Sequence, residues 1–156
     1  MIPSIETIAI GDELLTGKIS DTNTTWVADQ LFKAGLRLSR VSVIADETSQ
    51  IHATLRERSV EAEWGVVFGG LGPTSDDKTA AAVAGLLGCE LIADPPSEER
   101  MRVNYERLGR PITPQALKQV LYPRAAKPLP NPRGMAPGFS CEIGKCRFYF
   151  QFRTRP

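Results

Sequence analysis

The run Gly69-Gly70-Leu71-Gly72-Pro73-Thr74-Ser75-Asp76-Asp77-Lys78-Thr79 carries the densest chemistry in this chain. Glycines directly after a strand let the backbone approach a ligand closely and turn its amides inward. The spacing predicts a helix opening near Thr74 or Ser75, so that Gly69, Gly70, Gly72, Thr74, Ser75 and Thr79 border an anion site at its positive end. Asp76 and Asp77 then fall in the first turn. They either complement the helix dipole or hold a divalent cation that bridges protein and phosphate. Neighbours on a helix point about 100° apart, so only one of the two need face the ligand. The run is not a Walker A loop, because no Lys-Ser/Thr follows its last glycine, and its glycines are mis-spaced for a dinucleotide fingerprint.

Two further acidic turns join it. Gly11-Asp12-Glu13-Leu14-Leu15-Thr16-Gly17 follows a β-prone segment, and Ala45-Asp46-Glu47 follows another. Each alone is equally a turn with capping acids. Together they put carboxylates at the ends of three successive strands. Such a cluster could bind Mg²⁺ or a similar hard cation, or orient a water for attack on phosphorus. Without a cation or protons it would repel itself. Ser20-Asp21-Thr22-Asn23 reads as a helix cap able to offer polar contacts.

The elements that must position these turns alternate. Strands are expected over Ser4–Ile10, Leu36–Ala45 and Trp64–Phe68; helices over Asp21–Ala34, around Ile51, Leu55 and Ala62, and over Ser75–Leu87. That order predicts an α/β fold with a mostly parallel sheet between helices, its ligand crevice at the carboxyl ends of the strands. Ten of the 12 prolines lie after residue 90. There a helix is expected over Pro96–Leu108, capped by Ser97, and a short one from Thr113-Pro114 to about Leu121. A proline-rich ordered loop over Tyr122–Gly138 leads to a hairpin, Phe139–Ile143 and Cys146–Phe152, turning at Gly144-Lys145.

Composition excludes several classes. With 19 basic and 18 acidic residues, nothing favours nucleic acid or an anionic membrane as partner. No stretch approaches the apolar length of a membrane helix, and Met1–Ile10 does not read as a signal peptide. Three cysteines without a CxxC and a single histidine, His52, argue against a zinc site and for free thiols in a reducing cytoplasm. His52 is expected at the surface, Cys89 in the core, and Trp26 and Trp64 in packing.

The run Ala9-Ile10-Gly11-Asp12-Glu13-Leu14-Leu15-Thr16-Gly17, then Asp21-Thr22-Asn23, resembles the opening of the CinA (competence/damage-inducible) proteins. The 69–79 run is similar to that family's most specific signature, and Asn131-Pro132-Arg133-Gly134-Met135-Ala136-Pro137-Gly138-Phe139 to a third block. The resemblance covers Met1 to about Ile143. It implies a molybdopterin-binding (MoaB/MogA-like) domain, a three-layer α/β/α sandwich over 1–156 that is truncated at its carboxyl end and ends in a small hairpin. It further implies a nucleotide or pterin ligand, a homo-oligomer, and metal-dependent ADP-ribose pyrophosphatase activity, with non-catalytic binding as the alternative. Asp77, Asp46 and Glu13 match functional acids of the relatives and become candidate catalytic residues and cation ligands. Gly11, Asp12, Thr16, Asn23, Gly134, Pro137 and Gly138 become candidate ligand contacts. The chain departs from the family at Ala80-Ala81, at Met135 and after Ile143.

Overall fold

A computed structural model describes residues 3–151. Strand β1 (Ile5–Ile10) is buried along its whole length and forms the centre of the parallel half of the sheet. It pairs in parallel with β2 (Leu38–Ile44) on one side and β3 (Trp64–Phe68) on the other. Helices α2 (Thr22–Lys33) and α3 (Thr48–Glu61) make the crossovers between these strands, while α4 (Thr79–Leu87) follows β3. A four-residue helix, α1 (Asp12–Leu15), occupies the turn after β1.

Side chains leave β1 alternately to two layers. Ile8 and Ile10 pack with Ile51 and Leu55 of α3 and Val83 of α4. On the opposite face, Thr24 of α2 donates its hydroxyl to that of Thr7 at 3.4 Å. Arg58 of α3 is 2% exposed and reaches the buried Glu6 at 3.5 Å, pinning helix to strand through charge.

The carboxyl-terminal hairpin is part of this sheet. Strand β8 (Cys146–Gln151) pairs in parallel with β3 and antiparallel with β7 (Gly138–Ile143), and β6 (Lys127–Leu129) closes the edge, giving the order β2-β1-β3-β8-β7-β6. Gly65 lets this happen: a Cβ there would sit 2.3 Å from the Phe148 ring. Phe139, Phe148 and Phe150 are fully buried, each ring contributing roughly 1.5–3 kcal/mol by leaving water. Phe152 and the divergent residues 152–156 lie outside the described residues.

Several expectations are corrected. Helix α4 opens at Thr79, not near Thr74 or Ser75, so Asp76 and Asp77 belong to a loop. Side-chain hydrogen bonds win over helix here: Asp77 Oδ2 accepts the Thr74 N–H and hydroxyl at 2.9 and 2.6 Å, and the Thr79 hydroxyl donates to Gly69 O at 2.9 Å. The cap of α5 (Pro95–Arg107) is Asp94, which accepts from Ser97 N–H at 3.1 Å. Helix α6 (Pro114–Lys118) stops early because Leu121 enters β5 (Leu121–Pro123), paired with β4 (Leu91–Ala93). The proline-rich segment thus contains β5 and β6, with Pro128 tolerated on a sheet edge.

His52 is half-buried: its Nε2 lies 2.7 Å from Ala82 O, joining α3 to α4 beside the small Gly85. Trp26 and Trp64 are exposed, Trp64 stacking on Tyr149 with ring centroids 5.9 Å apart. Burial pushes the thiols of Cys141 and Cys146 up to about 12, leaving them inert core groups, while Cys89 is half-buried. No helix among the described residues is long and apolar enough to cross a membrane.

Candidate functional site

The ends of β1, β2 and β3 share one rim because parallel strands joined by crossovers end on the same side. That rim opens into a cavity of about 420 Å³. Asp12, Glu13 and Leu14 enter it after β1, Asp46 after β2, and Gly69–Thr74 with Asp76 and Asp77 after β3. Asp21 and Asn23 enter from the start of α2, and Ala9, Ile10 and Phe68 supply apolar wall.

The turns are tied together. Gly11 N–H donates to Ile44 O at 2.9 Å, and Asp12 N–H to Asp46 Oδ2 at 3.3 Å, fixing the first turn on the second. Gly69 has φ 104° and lies so close to Ile10 O that a Cβ would come within 2.0 Å of it. The amides of Gly70, Leu71 and Gly72 donate to no carbonyl or side chain among the described residues. Three free N–H groups beside a cavity are what an anion requires.

The remaining sequence candidates have other places. Gly11, Thr16, Ser75, Thr79, Gly134 and Gly138 do not line this cavity. The Thr16 hydroxyl turns back to Asp12 O at 3.0 Å, and Thr79 is fully buried beneath the glycine loop. Gly138 opens β7 opposite Leu129. Gly134 sits in a turn held by Asn131, whose amide donates to Ala136 O at 2.8 Å. Pro137 borders a smaller cleft that shares Gly70, Gly72 and Asp77 with the main cavity and reaches Ala80, Ala81 and Lys118. The third block thus shapes the support of the loop.

Lys118 carried no signal in the sequence. Its ammonium donates to Thr74 O at 2.6 Å across 44 residues of chain, the long-range side-chain tie of the 72–77 loop. Lys118→Met is expected to speed hydrogen exchange in that loop and weaken ligand binding about tenfold. The melting temperature should stay within a few degrees, since a partly exposed contact stabilises little. Unchanged exchange at residues 72–77 would remove Lys118 from this role.

The acids crowd one another. Burial raises the Asp46 carboxyl above its ordinary value, opposed by the Asp12 N–H bond and reinforced by the charges of Glu13, Asp12 and Asp77. A carboxyl raised on folding contributes stability below its unfolded value near 3.8, and loses it as pH climbs through the folded value. Asp46→Asn should therefore raise the melting temperature of the ligand-free protein by about 1–3 °C at pH 7. The gain should vanish towards pH 3.5; a gain that persists there would assign it to something other than charge.

Comparison with known proteins agrees with the fold. Residues 6–150 match the family described as "Probable molybdopterin binding domain". A CinA-like protein of Anaeromyxobacter sp. (strain K) is 41% identical over 143 residues, 92% of this chain but 35% of that protein, so the chain spans about a third of its relative's length. The crystal structure of CinA from Thermoplasma acidophilum, described as of unknown function, superposes with TM-score 0.81 at 29% identity. It covers 97% of this chain and 88% of that one. The tungsten cofactor synthesizing protein MoaB of Pyrococcus furiosus shares the fold alone, with TM-score 0.56 at 15% identity over 97% of this chain and 82% of that one. The chain belongs to the molybdopterin-binding domain family, in its CinA-like branch with the MoaB/MogA fold.

Proposed function

We propose that the cavity binds the diphosphate of a nucleoside diphosphate-sugar such as ADP-ribose, together with a divalent cation, and hydrolyses it. The observation that carries this reading is the meeting of unpartnered loop amides with carboxylates from three strand ends in one cavity. Six carboxylates line it, those of Asp12, Glu13, Asp21, Asp46, Asp76 and Asp77, and no lysine, arginine or histidine among the described residues does. A phosphate therefore enters only with its charge neutralised.

Glu13, Asp46 and Asp77 offer the hard oxygens that suit Mg²⁺, and a cation would offset the charges of Glu13, Asp12 and Asp77 that, after burial, add to the rise of the Asp46 carboxyl. Among the described residues no three such side chains converge into a ready cage, so ligand oxygens must complete the set. When bound, the cation supplies charge neutralisation at the diphosphate. The amides of Gly70, Leu71 and Gly72 hold the phosphate oxygens. Asp46 keeps one oxygen on the Asp12 N–H and turns the other either to the cation or to the attacking water.

Incubation with ADP-ribose and Mg²⁺, followed by chromatography, should release AMP and ribose 5-phosphate. A molecule that binds ADP-ribose without releasing AMP would discard hydrolysis. A second reading, recognition of a pterin or nucleotide without turnover, is favoured by one detail: Asp77 spends its Oδ2 on Thr74 and not on a cation cage. Calorimetry beside the product assay separates the two.

A further inference from the structure

Thr79 is the first residue of α4, yet its side chain does nothing for the helix end: the cap position is Lys78, and no side-chain cap bond is made there. Its hydroxyl goes to the glycine loop instead, donating to Gly69 O at 2.9 Å, while its own N–H donates to Gly70 O at 3.0 Å. One fully buried residue thus holds two consecutive carbonyls of the loop. It holds them from the side away from the cavity, which Gly69, Gly70, Leu71 and Gly72 line and Thr79 does not. The approach is close. A Cβ on Gly70, which has φ 68°, would lie 2.0 Å from Thr79 Oγ1.

We infer that Thr79 is a positioning residue of the phosphate site: it does not touch the ligand, and it sets the direction of the amides that do. The assignment rests on the phosphate reading above and adds the device that orients its donors. A peptide unit is planar and trans, so its C=O and N–H point opposite ways; none among the described residues is cis. Holding Gly69 O on the Thr79 hydroxyl therefore turns the Gly70 N–H away from Thr79, towards the cavity. Holding Gly70 O on the Thr79 N–H does the same for the Leu71 N–H. Both amides are left without an acceptor among the described residues, fixed in place before an anion arrives. The clamp is needed because Gly69 and Gly70, at φ 104° and 68°, leave the loop free to turn either peptide over. A peptide turned over would present its carbonyl oxygen to the phosphate and repel it. The backbone N–H of almost any residue at position 79 can hold Gly70 O, whereas holding Gly69 O takes the side-chain hydroxyl.

The test compares wild type, Thr79→Val and Thr79→Ser, with inorganic pyrophosphate and Mg²⁺ as the probe. Calorimetry gives the affinity, and amide signals in a nitrogen–proton spectrum show which loop N–H groups meet the anion. In wild type, pyrophosphate should move the Gly70 and Leu71 signals more than those of residues 73–77. Valine keeps the shape of threonine but puts a methyl where the hydroxyl sits 2.9 Å from Gly69 O, closer than the ~3.3 Å of a carbon–oxygen contact. The 69–70 peptide is then released. Thr79→Val should bind pyrophosphate about tenfold more weakly, as expected for one lost hydrogen bond to a charged group. Its Gly70 response should shrink more than that of Leu71, whose peptide the Thr79 N–H still holds. Thr79→Ser keeps the hydroxyl and should bind within about twofold of wild type, although both variants lose buried contacts and melt lower. Wild-type affinity in Thr79→Val, or a Thr79→Ser as weak as Thr79→Val, would overturn the inference. So would pyrophosphate bound to wild type without movement at Gly70 and Leu71, a result that needs no variant to fold. A wild type that does not bind pyrophosphate at all would overturn the phosphate reading itself, and this assignment with it.

Discussion

Asp77→Asn is expected to lower magnesium-dependent release of AMP from ADP-ribose by about a hundredfold or more while leaving the melting temperature within a few degrees of wild type. The asymmetry follows from the two things Asp77 does. One oxygen accepts both the amide and the hydroxyl of Thr74 at 2.9 and 2.6 Å, closing the 74–77 turn. An asparagine carbonyl oxygen can accept the same two bonds, so the turn survives. What asparagine cannot supply is the charge, nor a hard anionic oxygen for a cation. Asp77→Ala removes the acceptor as well and should lose stability in addition, about 1–2 kcal/mol for two orphaned donors near the surface. Asp77 also helps hold the Asp46 carboxyl above its ordinary value. In Asp77→Asn, a carbon-detected titration of Asp46 should therefore move to lower pH. Full activity in Asp77→Asn would sink the catalytic role; an unmoved Asp46 would break the picture of a shared, mutually repelling acid rim.

The strand–helix alternation was legible because each element carried its own period and its own stop: Gly35 and Gly88 end helices as glycines should, both at positive φ. That the acidic turns share a side followed from parallel topology alone. What was not legible depended on contacts far apart in sequence. The opening of α4 moved from Ser75 to Thr79 because Asp77 and Thr79 bind backbone groups of the loop in preference to continuing the helix. Lys118 reaches Thr74 from a helix whose docking no local pattern reveals. His52 looked like surface until α4 packed over α3 and offered Ala82 O. Trp26 and Trp64 were expected in packing, yet α2 turns Trp26 outward and Trp64 has only the stacked Tyr149 ring as its aromatic neighbour among the described residues. The hairpin was foreseen as a hairpin. Its insertion beside β3 depended on Gly65 making room for Phe148, a pairing between positions 83 residues apart.

Gly69→Ala should be among the most damaging single-methyl changes in this chain. Gly69 adopts φ 104°, where an L side chain is strained, and its ideal Cβ position lies 2.0 Å from Ile10 O and 3.0 Å from Ile10 C. The obstacle is backbone at the end of the central strand, so it cannot swing away as a flexible side chain would. Gly69 O is also the acceptor for the buried Thr79 hydroxyl. Relieving the clash therefore means parting β1 from β3 or pulling the loop off α4. The expected cost is about 3 kcal/mol or more, a fall in melting temperature of roughly 6–12 °C for a domain of this size. Gly35→Ala is the control: φ is 76° there too, yet a Cβ would meet nothing within 4 Å. It should cost only the conformational penalty, about 1–2 kcal/mol. The difference between the two isolates the close approach of the glycine loop to β1. That approach also sets where Asp12 and Glu13 enter the cavity, because the turn that carries them begins straight after Ile10. Gly69→Ala should thus weaken pyrophosphate binding even at temperatures where the protein remains folded, and Gly35→Ala should not. Equal stability losses in the two variants would mean that the strand ends yield easily, and a rim built from yielding strand ends could not hold amides and carboxylates at fixed spacing.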